Sequence, residues 1–184
     1  MAEFTLHDDN SAPEAARPRL EAARQQMGFV PNLFGMMAEA PATLEAYQTL
    51  SGIFDTTSLS AVEREVVLLA TAVENRCHFC VAAHSGRAKK AGMAPGDLSA
   101  LRSGERLPTP EHDALARFTR SVVRDRGWLD HDTMQAFLDA GFTRQQVLEV
   151  VLGVALKTLS NYTNHVTGTP LNRELEALAW DEAA

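Results

Sequence analysis

The stretch that most limits the fold begins at Ser60. SAVE, Ser60 to Glu63, pairs a hydroxyl at a helix start with a carboxylate three residues on, the two halves of a capping box. Val62, Val66, Leu69 and Val73 then recur at spacings of four, three and four, one apolar stripe on a helix that runs into the next segment. TRQQ, Thr143 to Gln146, is a second capping box. It opens a helix through about Tyr162 that is apolar on most sides, so it is expected to be the central buried one. The same punctuation marks the remaining helices. Pro13 is expected in the first turn of a helix to about Met27, ended by Gly28, with Pro31 starting the next segment and Pro41 another. Pro95 and Gly104 bracket a short helix, Thr109-Pro110 starts one to about Arg126, and Asp130 caps one that stops at Gly141. LNRELEALAW closes the chain as a short helix. No stretch sustains the period-two alternation of a strand, so the fold class is all-α: one helical domain over 13–184 behind a polar, loose arm at 1–12. The Met36-Met37 pair belongs to the core.

Charge narrows the partners. A net charge of −7 offers no basic face, so neither nucleic acid nor an anionic membrane is expected as a partner. No run reaches the roughly 20 apolar residues that span a bilayer, and VLEVVLGVAL is interrupted by Glu149. MAEFTLHDDN lacks the apolar core of a secretory leader, so a cytoplasmic location is expected. Cysteines in a reducing compartment do not serve as a permanent staple, and a two-residue gap closes too small a loop to constrain the unfolded chain.

Both cysteines lie in ENRCHFCVAAHSG, residues 74–86, which reads as a helix from about Cys77 to Ala91 ended by Gly92. Spaced i, i+3 at a helix start, Cys77 and Cys80 sit close enough to bridge. The positive end of the helix dipole and its unpaired N–H groups favour thiolate there, and thiolate is the nucleophile. His84 follows Cys80 by one turn, where an imidazole can take or relay the thiol proton. The dipole favours Cys77 as the thiolate and the histidine favours Cys80, so local physics leaves the choice open. Glu74 and Glu65 are candidate carboxylates, and the apolar flank of Glu65 half-buries it, which demands a partner or a raised pKa. An attacking thiol, a resolving thiol and a base suit a thiol peroxidase or a dithiol–disulfide oxidoreductase. The metal alternative is a structural zinc, which needs four ligands; beyond the cysteine pair it would have to recruit His165 or His112. The NYTNH segment is a second polar cluster. It either ends its helix or brings Asn161 or His165 to support the dithiol pocket.

These residues resemble the AhpD-like alkylhydroperoxidase and carboxymuconolactone decarboxylase superfamily. Its motif E-x-x-C-x-x-C-x-x-x-H stands here as Glu74, Cys77, Cys80 and His84, and its further glutamate, twelve before the first cysteine, matches Glu65. GFVPNLFGMMAEAPATLEAY and LKTLSNYTNHVTGTPLN are similar to the peroxidase-related branch, so the resemblance spans about residues 25–172. It implies an AhpD-like helical fold, assembled as a trimer or hexamer through helical surfaces. It also implies a cofactor-free and metal-free site that reduces an (alkyl)hydroperoxide, with an external dithiol as reductant. By resemblance Cys80 attacks the peroxide, Cys77 is its disulfide partner, and Glu65 and His84 relay the proton. The decarboxylase members generally lack the cysteine pair, so that activity is not implied. One departure is Phe79, which stands where the alkylhydroperoxidases have a histidine before the second cysteine; the histidine here is His78.

Overall fold

The structure, a computed structural model, describes residues 4–181. Among the described residues nine α-helices follow one another: α1 Arg17–Met27, α2 Asn32–Met37, α3 Pro41–Phe54, α4 Ala61–Glu74, α5 His78–Ala91, α6 Pro95–Ser103, α7 Pro110–Arg124, α8 His131–Asp139 and α9 Arg144–Thr167. A 3₁₀ helix, Arg173–Leu178, follows, and no strand occurs among the described residues.

The end signals act as the sequence predicts. Ser60 accepts from the Glu63 amide while the Glu63 carboxylate accepts from the Ser60 amide, and Thr143 and Gln146 repeat the arrangement. Gly28, Gly92, Gly104 and Gly168 take the left-handed conformation that closes a helix. Three boundaries differ. The first helix starts at Arg17, with Pro18 in its first turn, because residues 13–16 form turns instead. α9 continues to Thr167, carried past Tyr162 by the Thr163 and Thr167 hydroxyls, which donate to carbonyls four residues back. The closing helix is 3₁₀ rather than α.

The centre of the molecule is α4, not α9. Every residue from Glu65 to Ala72 on α4 is buried, and the helix packs against α5, α6, α7 and α9. α9 buries one face, through Val150, Gly153, Leu156, Lys157, Ser160, Asn161 and Asn164. Its apolar outer face, with Leu148, Val151, Tyr162 and Val166, stands exposed. Glu149 fixes the helix lengthwise by accepting from the Ser58 amide and hydroxyl at 3.0 and 2.7 Å.

The two flanking stretches singled out by resemblance meet in space. The Asn32 amide donates to Asn172 Oδ1 at 2.7 Å, and Asn172 Nδ2 donates to the Val30 carbonyl at 3.1 Å. The expected arm at 1–12 lies partly outside the described residues, at 1–3. From residue 4 on, His7 bonds Glu39 at 2.8 Å and Ala12 is buried.

Candidate active site

The dithiol sits on the joint between α4 and α5. Arg76 adopts a left-handed φ of 54°, the Arg76 amide donates to Val73 O, and the Cys77 amide donates back to Ala72 O. This is a Schellman closure, and it turns the chain so that Cys77 becomes the residue capping α5. Cys80 then lies one turn inside. Both cysteines are free thiols, each only 1% exposed.

From α4, Glu65 reaches across to α5. His84 Nδ1 lies 2.7 Å from Glu65 Oε2, and Arg87 Nε lies 3.1 Å from Glu65 Oε1. The other ring nitrogen, His84 Nε2, is 2.9 Å from Lys157 Nζ on α9. Both nitrogens of His84 are therefore occupied, and neither faces a thiol. Lys157 is 1% exposed. One and two turns further along α9, Ser160 and Asn164 meet the sulfurs: Cys80 Sγ to Ser160 Oγ at 3.8 Å, Asn164 Nδ2 to Cys80 Sγ at 3.3 Å and to Cys77 Sγ at 3.6 Å.

These contacts split the two thiols electrostatically. Burial pushes Cys80 up, but the hydrogen bond from Cys77, the Lys157 ammonium, His84 and Ser160 overcome it and hold the thiol well below its ordinary value. Cys77, as the donor to Cys80, is pushed far up, and burial adds to the effect. Burial also lowers His84, and the Lys157 charge lowers it further, so the imidazole stays neutral. Glu65 would rise on burial; His84, Arg87 and Lys157 reverse this and hold it below the ordinary carboxylate value. Lys157 would fall on burial, but the negative charge on Cys80 more than offsets it and raises it. These shifts favour Cys80 as the thiolate, through its tertiary donors rather than the helix dipole.

Of the residues expected from sequence, Cys77, Cys80, His84 and Glu65 converge. Asn161 is buried and accepts from Asn75 Nδ2 at 3.0 Å, bracing the loop before Cys77. Glu74 does not reach the thiols; it faces a separate cavity with Arg117, Arg120 and Arg124. His165 is exposed, its ring 6.3 Å from that of Tyr162, and does not approach the pair. His112 is held by Asp97 at 2.6 Å between α6 and α7, so neither remote histidine of the zinc alternative stands with the cysteines. His78 turns outward, its Nδ1 2.7 Å from the Trp180 carbonyl.

Lys157, Ser160 and Asn164 were not anticipated as site residues. The signal was present: Gly153, Lys157, Ser160 and Asn164 are spaced four, three and four, the stripe rule that identified α4. A cavity of about 730 Å³ reaches the site only at Glu65 and Arg87, and is walled further by Tyr47, Phe34 and Met27.

Residues 39–107 match the model of the carboxymuconolactone decarboxylase family. No curated protein sequence matches the chain. Among solved structures, the chain is similar to the alkylhydroperoxidase AhpD core of an uncharacterized peroxidase-related protein from Ralstonia eutropha JMP134, with a TM-score of 0.84 at 22% identity over 94% of this chain and 93% of that one. A peroxidase-related protein from Silicibacter sp. TM1040 gives a TM-score of 0.77 at 17% identity, covering 95% and 92%. A variant of the debrominase Bmp8 in complex with 2,3,4-tribromopyrrole gives 0.79 at 15% identity, covering 97% and 96%. The motif-bearing segment thus matches the carboxymuconolactone decarboxylase family model, and the helical fold that encloses it is that of the alkylhydroperoxidase AhpD core.

Proposed function

We propose that the chain reduces hydroperoxides with the Cys77–Cys80 dithiol. The observation that carries this reading is that both sulfurs sit on one buried donor, Asn164 Nδ2, 3.3 Å from Cys80 and 3.6 Å from Cys77, in surroundings that favour the negative charge on Cys80 over Cys77. The Cys80 thiolate attacks the outer peroxide oxygen, the O–O bond breaks, and an alkoxide or hydroxide leaves. The Cys77 thiol then condenses with the Cys80 sulfenic acid, releasing water and closing an internal disulfide. An external dithiol reopens it. Asn164 Oδ1, buried with no partner among the described residues, is an acceptor beside the two sulfurs for the peroxide O–H.

Two features favour a small organic substrate. Both sulfurs are 1% exposed, which disfavours a general dithiol–disulfide oxidoreductase acting on folded proteins. The cavity of about 730 Å³ that Glu65 and Arg87 line is in the size range of small-molecule pockets and far exceeds what hydrogen peroxide fills. A trimer or hexamer is part of this reading, supported by the exposed apolar face of α9, and light scattering of the purified protein tests it.

A single turnover tests the chemistry. Reduced, metal-stripped protein receives one equivalent of an alkyl hydroperoxide, and free thiols and mass are followed. Wild type is expected to lose both thiols as one internal disulfide, Cys77→Ser to stop at a sulfenic acid, and Cys80→Ser to remain unreacted. Thiols that survive the peroxide would sink the proposal, and metal that resists stripping would revive the zinc-bound scaffold.

A further inference from the structure

His84 has no lone pair to offer a thiol. An ammonium has three donors and no acceptor, so the 2.9 Å contact with Lys157 requires His84 Nε2 to accept. Nδ1 therefore carries the ring proton and donates it to the Glu65 carboxylate at 2.7 Å. The imidazole is a spacer between a carboxylate and an ammonium. The cation bonded to His84 is Lys157, one turn before Ser160, whose hydroxyl lies 3.8 Å from Cys80 Sγ, and its charge acts on Cys80.

We propose that Lys157 is the counter-ion that keeps Cys80 ionised and the acid that protonates the oxygen leaving the peroxide, with His84 and Glu65 as positioning residues acting through it. The proton-donating half rests on the peroxidase reading above; the counter-ion half does not.

Charge balance supports the assignment. The titratable groups around Cys80 are Cys77 beside it, His84 one turn on, and Lys157 from α9. Beyond them stand Glu65 on α4, Arg87 on α5 and Tyr47 on α3. Cys77 stays protonated, His84 neutral, and Tyr47 is held neutral by burial. With Cys80 as a thiol, the two cations Lys157 and Arg87 face the single anion Glu65. With Cys80 as a thiolate the charges balance. Arg87 already serves Glu65 and is 46% exposed, so the buried, uncompensated cation is Lys157. A buried charge without a partner is strongly unfavourable, and the thiolate is the partner at hand.

The cycle closes in protons and electrons. Thiolate attack oxidises sulfur to sulfenic acid and reduces the peroxide; the departing RO⁻ takes a proton from the Lys157 ammonium and leaves as ROH. Disulfide formation releases the sulfenic oxygen as water with the Cys77 proton. When an external dithiol reduces the disulfide, the new Cys80 thiol passes its proton to the Lys157 amine and restores the ion pair.

The test is a pH titration of ultraviolet thiolate absorbance in the reduced protein, with Cys80→Ser to identify the step. Lys157→Met is expected to move the Cys80 midpoint up by about one pH unit or more, and to slow single-turnover oxidation at neutral pH by about tenfold or more. Lys157→Arg is expected to keep the low midpoint yet react at least about tenfold more slowly, since a guanidinium does not release its proton. Lys157→Gln keeps an N–H for His84 without the charge and gives the same titration if the methionine variant unfolds. An unmoved midpoint overturns the counter-ion assignment, and an arginine variant as fast as wild type overturns the acid assignment. A wild type with a low midpoint but no reaction with peroxide would remove the peroxidase reading while the midpoints still judge Lys157.

Discussion

Replacing Gly153 with alanine tests whether the approach of α9 to the core sets the geometry of the site. A Cβ at this position would lie 2.7 Å from Val67 Cγ1 and 2.8 and 2.9 Å from Phe54 Cζ and Cε2. Ordinary carbon contacts need about 3.5–4.0 Å, so helix and neighbours must part by roughly 0.6–1 Å. Val67 is 0% exposed and Phe54 1%, so neither can swing into solvent. Alanine gains about 1 kcal/mol of helix propensity over glycine. Overpacking a filled core costs about 1–3 kcal/mol, and two rigid neighbours put this case in the upper half. The net loss is about 1–2 kcal/mol, or roughly 2–8 °C in Tm for a chain of this size. Urea and thermal unfolding measure it. Gly153 lies one turn before Lys157, so the same retreat draws the ammonium from His84 and slows thiol oxidation. An alanine variant as stable as wild type would refute the claim that this contact is at its limit.

Four further outcomes are expected. Asn164→Ala removes the amide that donates to both sulfurs; hydrogen bonds to charged groups contribute about 1.5–3 kcal/mol, so stopped-flow oxidation by peroxide should slow by about tenfold to a hundredfold. The pH dependence of Tm should show an acid limb: His84 and Glu65 both have lowered folded values, so their contribution is present above the ordinary values of 6.5 and 4.5 and is lost as pH falls below them. His84→Gln should flatten the upper part of that limb. At alkaline pH the reduced protein should lose stability above the ordinary thiol value, because Cys77 has a raised folded value and stays protonated while the unfolded chain ionises; Cys77→Ser should lessen that decline. Ser60→Ala breaks a capping box and should cost about 1 kcal/mol, read as a Tm lowered by roughly 2–4 °C.

What the sequence carries plainly is local. Ser60–Glu63, Thr143–Gln146 and the helix-closing glycines act within four residues, so their consequences follow without knowledge of the fold. The dithiol with Glu65 and His84 is readable for a related reason: all four sit on two successive helices joined by a tight turn. Lys157 is 73 residues from His84, and its role depends on how α9 crosses α4 and α5. Spacing along the chain does not encode that crossing. The NYTNH cluster shows the same limit at finer grain: the segment is correctly singled out, but helix phase turns Asn164 to the sulfurs and His165 to solvent. The placement of α9 at the centre fails because an apolar surface signals burial without saying what buries it.

The reach from α5 to α9 also orders events during synthesis. Cys80 and Ser160 are 80 residues apart, and at about 5–20 residues per second the ribosome needs roughly 4–16 s to pass from one to the other. Throughout that interval the nascent chain carries two cysteines with neither the ammonium nor the amide that activates them. They are ordinary, sluggish thiols while the chain is least able to protect them. The last long helix, arriving late, buries the pair and delivers Lys157, Ser160 and Asn164 to it in one docking step.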